Sequence, residues 1–137
     1  MSIVNTISLI SNKKIKLNFD GGDLSSDAGL LLIKEFACKI GFIKLVKKHF
    51  HTNDPAWFRI HTDTDNFMQM IYQIVSGYHK DDCADELTND PVITSILEKE
   101  ALASQPTMSR FWNRMDEDTL EQFHCINSRM RDIVYSV

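Results

Sequence analysis

The sequence predicts a mainly α chain that opens with a short β element, and three observations carry that prediction. Apolar and polar residues alternate from Ile15 to Phe19, which is the strand period of two. Phe67, Met70, Ile71, Ile74, Val75 and Tyr78 fall on a single stripe at helical spacing. Helix-start signals at Asp90-Pro91 and at Ser104 before Gln105-Pro106 then punctuate the second half of the chain.

The first element is a pair of extended runs, Ile3-Val4 to Leu9-Ile10 and Ile15 to Phe19, with Ser11-Asn12-Lys13 as the turn of a hairpin. Such a ribbon is marginal unless something packs on it. Asp20-Gly21-Gly22-Asp23 breaks the second run, and Ser25 or Ser26 caps a helix whose body, Leu30 to Ile40, is apolar nearly all round and is therefore expected to be buried. Gly41 ends it. A second helix, Phe42 to about Phe50, carries Lys44, Lys47 and Lys48 on its outer side.

The Phe67 stripe defines a helix from about Asp63 to Tyr78. Asp81 is placed to cap a short acidic helix, Asp90 caps one that starts at Pro91, and Ser104 caps one over Gln105–Met115. A last helix, about Asp116 to Val134, presents Leu120, Phe123, Ile126, Met130, Ile133 and Val134 on its apolar face. The expected organisation is a β element over 1–20 and a helical region over 21–137, with a helix-turn-helix-like unit at 81–115.

Composition narrows the function classes. The 137 residues carry a net charge of -4, so the chain does not coat nucleic acid by bulk charge. Charge is unevenly placed: residues 1–19 hold Lys13, Lys14 and Lys16 without an acid, whereas 52–101 hold ten acids against Arg59, Lys80 and Lys99. Cys38, Cys83 and Cys125 are far apart with no CxxC, which signals neither a disulfide framework nor a zinc knuckle and suits a reducing cytoplasm. No apolar run is long enough to span a bilayer, so no membrane partner is expected.

The constellation with chemical content is the helix over Gln105–Met115. With Thr107 at zero and steps of about 100°, Phe111, Met108, Trp112 and Met115 occupy an arc from about 40° to about 140°. Gln105, Thr107, Ser109, Arg110, Asn113 and Arg114 remain as the candidate outer set. Arg can bond guanine O6 and N7 as a fork, Asn can pair with adenine, and Ser or Thr can hold phosphate or base edges. Any amphipathic helix can present such a face to water, so the pattern leaves DNA contact and plain solvation both open.

Other tempting residues have simpler readings. Asp81, Asp82, Asp85 and Glu86 complement a helix dipole; His61, Asp63 and Asp65 fit loop and N-cap duty before the Phe67 helix. His49, His51 and His124 have no partner at catalytic spacing. Gly21-Gly22 lacks the ending of a phosphate-binding loop, and Trp57 and Trp112 read as core or staple residues, Trp57 being the one that could meet a partner from a loop.

Four segments carry a resemblance: Leu24 to Leu32 (LSSDAGLLL), Ile71 to Tyr78 (IYQIVSGY), Asp85 to Pro91 (DELTNDP) and Leu102 to Arg110 (LASQPTMSR). In this order they are similar to the successive N-terminal blocks of insertion-sequence transposases with a DDE domain of group 1, over about residues 15–135. The resemblance implies a DNA-binding part that recognises transposon ends. It also implies chemistry by three acidic residues holding two or more divalent metal ions, Mg among them, on an RNase H-like domain. The first of those acids would follow the helix corresponding to Asp116–Val134. The chain stops at Val137, so it is expected to be cut off before the catalytic core: no residue here is assigned as a catalytic acid, and no cofactor is expected in this chain.

The implied partners are DNA bearing the terminal inverted repeats, the C-terminal catalytic domain and a second copy of the chain, in the cytoplasm and on the nucleoid when DNA-bound. Two other readings stay open: a helical docking or dimerisation module that reads no DNA, and a stand-alone helix-turn-helix regulator.

Overall fold

The computed structural model describes residues 6–18, 27–80 and 82–136. Among them it contains two strands, β1 (Thr6–Ser8) and β2 (Lys16–Asn18), and seven helices: α1 (Leu30–Lys39), α2 (Phe42–His49), α3 (Asp63–Val75), α4 (Cys83–Glu86), α5 (Pro91–Leu97), α6 (Gln105–Asn113) and α7 (Glu117–Tyr135). The mainly α class with an opening hairpin is therefore observed. Ser25, Ser26 and Asp81, and the break at 20–23, lie outside the described residues; the N-cap positions are instead Gly29 for α1 and Asp82 for α4, neither with a side-chain cap bond, which corrects the expected caps.

β1 and β2 pair antiparallel with Thr6 opposite Asn18 and Ile7 opposite Leu17. The turn forms where expected, closed by Ile15 N–H donating to the Asn12 carbonyl and by the Asn12 side chain accepting from Lys14 N–H. A two-stranded ribbon needs an anchor, and α1 supplies it. Glu35 accepts from the backbone N–H of Ile10 and Ser11 and from the Ser11 hydroxyl, while Leu9 is buried in the core. The Ser11 hydroxyl bond holds the Glu35 carboxyl below its usual pKa, outweighing the opposing effect of burial.

Gly41 ends α1 and starts α2 because it takes φ 75°, a left-handed conformation that a Cβ disfavours. The expectation that α1 is buried all round is corrected. Leu30, Leu31 and Ala37 are buried, but Leu32, Ile33 and Phe36 face solvent, and the buried residue between them is Lys34. Its Nζ donates to the Ile96 carbonyl and pairs with Glu98 at 3.0 Å, so a cation sits at the C-terminal end of α5, where a helix dipole favours it.

α3 is the central helix, packed against α2, α5 and α6. Thr62 and Asp65 form its capping box. Phe67 and Met70 of the predicted stripe are buried, but Ile74 and Val75 are exposed, and Asn66, Gln69 and Gln73 are buried instead. The helix stops at Val75, with Gly77 at φ 88° and Tyr78 N–H returning to the Gln73 carbonyl. Phe67 also joins the middle of the core, where its ring lies 4.8 Å from Phe50 and 5.6 Å from Phe123, while Phe111 stands 5.9 Å from Phe50. The end of α2, α3, α6 and α7 thus converge on one aromatic cluster.

Asp90 caps α5 as its sequence predicts, accepting from Val92 and Ile93 N–H. Asp116 caps α7 through a reciprocal box with Thr119. On α7, Ile126 is buried and Phe123 and Met130 are half-buried, whereas Leu120 and Val134 are exposed.

Candidate nucleic-acid interface

Helix α6 is seated by bonds from two other helices. Gln69 of α3 holds the preceding loop with both ends of its amide: Nε2 donates to the Ala103 carbonyl and Oε1 accepts from Ala103 N–H, each at 2.9 Å. Ser104 occupies the N-cap position with extended backbone, but its hydroxyl makes no cap bond and lies 3.3 Å from Thr107 Oγ1. The N–H of Gln105 is satisfied by Asp85 from α4 at 2.8 Å. α4 packs on α6, whereas α5 packs on α1 and α3.

The inner face holds Phe111, with no exposure, and Met108. The outer face is turned relative to the sequence expectation. Arg110 and Asn113 are exposed and Ser109 and Gln105 are half-buried, all near the same outward arc. Trp112, read from sequence as a core residue, is 40% exposed on that side. It lines a cavity of about 290 Å³ with Met108, Ile74 and Tyr78, next to His79 and Lys80. Thr107 and Arg114 lie at the other border, half-buried.

Arg114 follows the last helical residue and points into an intramolecular network. Its Nε donates to Thr52 Oγ1 at 3.1 Å, and its two terminal nitrogens lie 3.4 Å from Asp54 and Asp63. Asp63, buried at the start of α3, also accepts from Thr52 N–H and Oγ1 and pairs with Arg59, which in turn bonds Asp54. Two guanidinium groups and two carboxylates thereby tie the 52–63 loop to the end of α6. The Asp54 carboxyl is held below its usual pKa, first by the Ala56 N–H bond and then by Arg59 and Arg114, against burial. Burial pushes Asp65 up, but its bonds to Lys99 and Thr62 outweigh that and leave it lowered.

Of the outer set Thr107, Ser109, Arg110, Asn113 and Arg114 expected from helical spacing, Ser109, Arg110 and Asn113 share the outward arc with Gln105, and two features differ from that expectation. Trp112 belongs to the outer border, and Arg114 is engaged with the loop. The spacing of Arg59 and Asp63, four residues apart on the approach to α3, was the one local signal of that network. Trp57 is likewise no core residue: it is 98% exposed, beside exposed Phe58 and Ile60.

The family model for transposase DDE domain group 1 matches residues 7–137, nearly the entire chain. The chain belongs to that family. No curated protein and no solved structure matches it. Membership in the transposase DDE domain group 1 family gives the chain a transposition-related role. It also implies a divalent metal for the catalytic chemistry, as the sequence resemblance does. Asp54, Asp63 and Asp65 do not fit such a centre, because they are bonded to Arg59, Arg114, Lys99 and Thr side chains. No group of three or more His, Cys, Asp or Glu among the described residues is arranged to hold an ion. No described helix is long and apolar enough to cross a membrane.

Proposed function

We propose that the chain is a DNA-binding and assembly region of a DDE transposase, that it recognises the terminal inverted repeats of its element, and that it does not itself cut DNA. The observation that carries this reading is the outer face of α6. Arg110 and Asn113 project there from a helix whose opposite side is locked into the aromatic core. Arg110 has no ion-pair partner among the described residues, unlike Arg114. A free guanidinium and an amide on one rigid helical face are suited to base edges in a major groove. Ser109, Gln105 and neighbouring Lys80 suit phosphate oxygens. In this reading 81–115 acts as the helix-turn-helix-like unit, with Thr107 and Arg114 supporting the reading face.

The test is anisotropy titration of an inverted-repeat duplex and a scrambled duplex at fixed salt. Arg110→Ala with Asn113→Ala should weaken inverted-repeat binding by about tenfold or more and bring the two duplexes together. Undiminished discrimination by that variant sinks the reading.

A second reading has its own observation. Leu32 and Phe36 of α1 and Ile10 of the hairpin loop are exposed together around one largely apolar hollow, as a docking module would require. Light scattering that finds a dimer indifferent to DNA would favour it.

A further inference from the structure

Four of the described cations are held in ion pairs; the others, Lys13, Lys14, Lys16, Lys39, Lys80, Arg110 and Arg131 among them, have no ion-pair partner among the described residues. Lys34, Arg59, Lys99 and Arg114 are each ion-paired to an acid. Lys44, Lys47 and Lys48 of α2 and Arg129 of α7 are exposed, and none has an ion-pair partner among the described residues. Arg129 makes only a weak bond to the Cys125 thiol.

The three lysines share one side of α2. Counting about 100° per residue from Phe42, they fall between about 140° and about 240°, opposite the fully buried Val46. The helix dipole accounts for Lys47 and Lys48, which lie in the last turn. It does not account for Lys44. That residue is third in the helix, where the dipole disfavours a cation, and no acid occupies the first turn to compensate.

Positive charge from a second element gathers at the same place. α2 packs on α7, and the His49 imidazole is held below its usual pKa first by desolvation and then by Arg129 and Lys48. Residues 81 positions apart in sequence therefore act on one imidazole. Asp118 and Glu121 also border the hollow at His49 and His51. They lie earlier on α7, with Glu121 two turns, about 12 Å of helix rise, before Arg129. That separation exceeds the Debye length of physiological salt, about 8 Å, so Glu121 acts on Arg129 only weakly, and Asp132, three residues after Arg129, is the nearer acid along α7.

We propose that the α2–α7 face, with Lys44, Lys47, Lys48 and Arg129, grips the phosphate backbone of duplex DNA without reading its sequence, while α6 supplies the discrimination. The lysines match a linear polyanion: Lys44 and Lys48 are separated by a rise of about 6 Å, and each DNA strand carries a charge every 3.4 Å or so along its axis. An anionic membrane fits less well. Membrane-seated basic helices flank their cations with buried apolar side chains, and α2 exposes no large apolar side chain. This inference rests on the DNA-binding reading of the chain, and its test separates the two.

The full chain with Lys44→Gln, Lys47→Gln and Lys48→Gln is titrated against the inverted-repeat and scrambled duplexes from 50 to 200 mM salt, with circular-dichroism melting as the fold control. Affinity should fall by about tenfold for both duplexes, and the slope of log K against log salt should shrink by roughly two to three, since each phosphate contact contributes about 0.9. The ratio between the duplexes should not change. An unchanged slope, or a loss confined to the inverted-repeat duplex, overturns the proposal. So does a slope that holds while binding to phosphatidylserine vesicles is lost.

If the triple variant melts early, Lys44→Gln alone should still reduce the slope by about one. Arg110→Ala with Asn113→Ala should do the reverse, lowering the ratio with a smaller change in slope. Failure of that variant alone removes the α6 reading and leaves the lysine face standing.

Discussion

Helices α1 and α3 exchange the roles that their sequences suggest. α1 is written almost wholly in apolar residues, LLLIKEFACK, yet it exposes Leu32, Ile33 and Phe36 and buries a lysine. α3, DTDNFMQMIYQIV, shows a single apolar stripe with polar residues elsewhere, yet it buries Asp63, Asn66, Gln69 and Gln73 alongside Phe67, Met68, Met70 and Tyr72. The difference lies in their neighbours. α2, α5 and α6 all pack on α3 and leave it little solvent side, so the Gln69 amide and the Asp63 carboxylate bond the loops around it. α1 meets α2 and α5, and one face has no covering element among the described residues. Hydrophobicity states which residues tolerate burial; the count of surrounding elements decides which are buried.

Three substitutions test that contrast. The largest effect is expected at Gln69, 1% exposed. Gln69→Leu keeps the bulk of the side chain but leaves the Ala103 N–H and carbonyl without partners, which should lower unfolding free energy in urea by roughly 2–4 kcal/mol. A cost under about 1 kcal/mol would mean that the buried amide is replaceable, and the contrast would fail. Lys34→Met should cost less, about 1–2 kcal/mol, because the aliphatic stem is retained and only the bonds to the Ile96 carbonyl and to exposed Glu98 are lost. A stabilised variant would show that the buried charge is tolerated and contributes nothing. The smallest effect belongs to Phe36→Ser. With Phe36 57% exposed, the melting free energy of the monomer should stay within about 0.5 kcal/mol. A much larger loss would reveal that the α1 face is covered in solution.

What was legible in the sequence was local. Asp90 before Pro91 and Asp116 three residues before Thr119 set their helix starts through bonds spanning two or three residues. Gly41 ended α1 for a reason contained in its own backbone. The candidate site was legible to the same range. The inner residues Met108 and Phe111 and the outer residues Arg110 and Asn113 follow from helix periodicity alone. Arg114 does not, because its partners Thr52, Asp54 and Asp63 are 51 to 62 residues away and a long flexible side chain goes where they are. Nor does the cap of α6: Ser104 stands at the right position, but Asp85, twenty residues earlier, makes the bond. Periodicity puts Trp112 at about 140°, the edge of the apolar arc, and there it is exposed because the core at that helix is filled by Met108, Phe111 and the rings around Phe50.

The double bond of Gln69 to Ala103, together with the bond of Asp85 to Gln105, has a consequence for association. The loop before α6 and the first turn of α6 are fixed from α3 and α4, through groups that are mostly buried. A helix so held carries little configurational freedom into an encounter. Little is then lost when a rigid duplex or a protein surface meets it, since ordering a loop or a set of side chains on contact is one of the larger costs of binding. The interior amide that makes α3 unusual is thus also what leaves the surface of α6 ordered in advance of any partner.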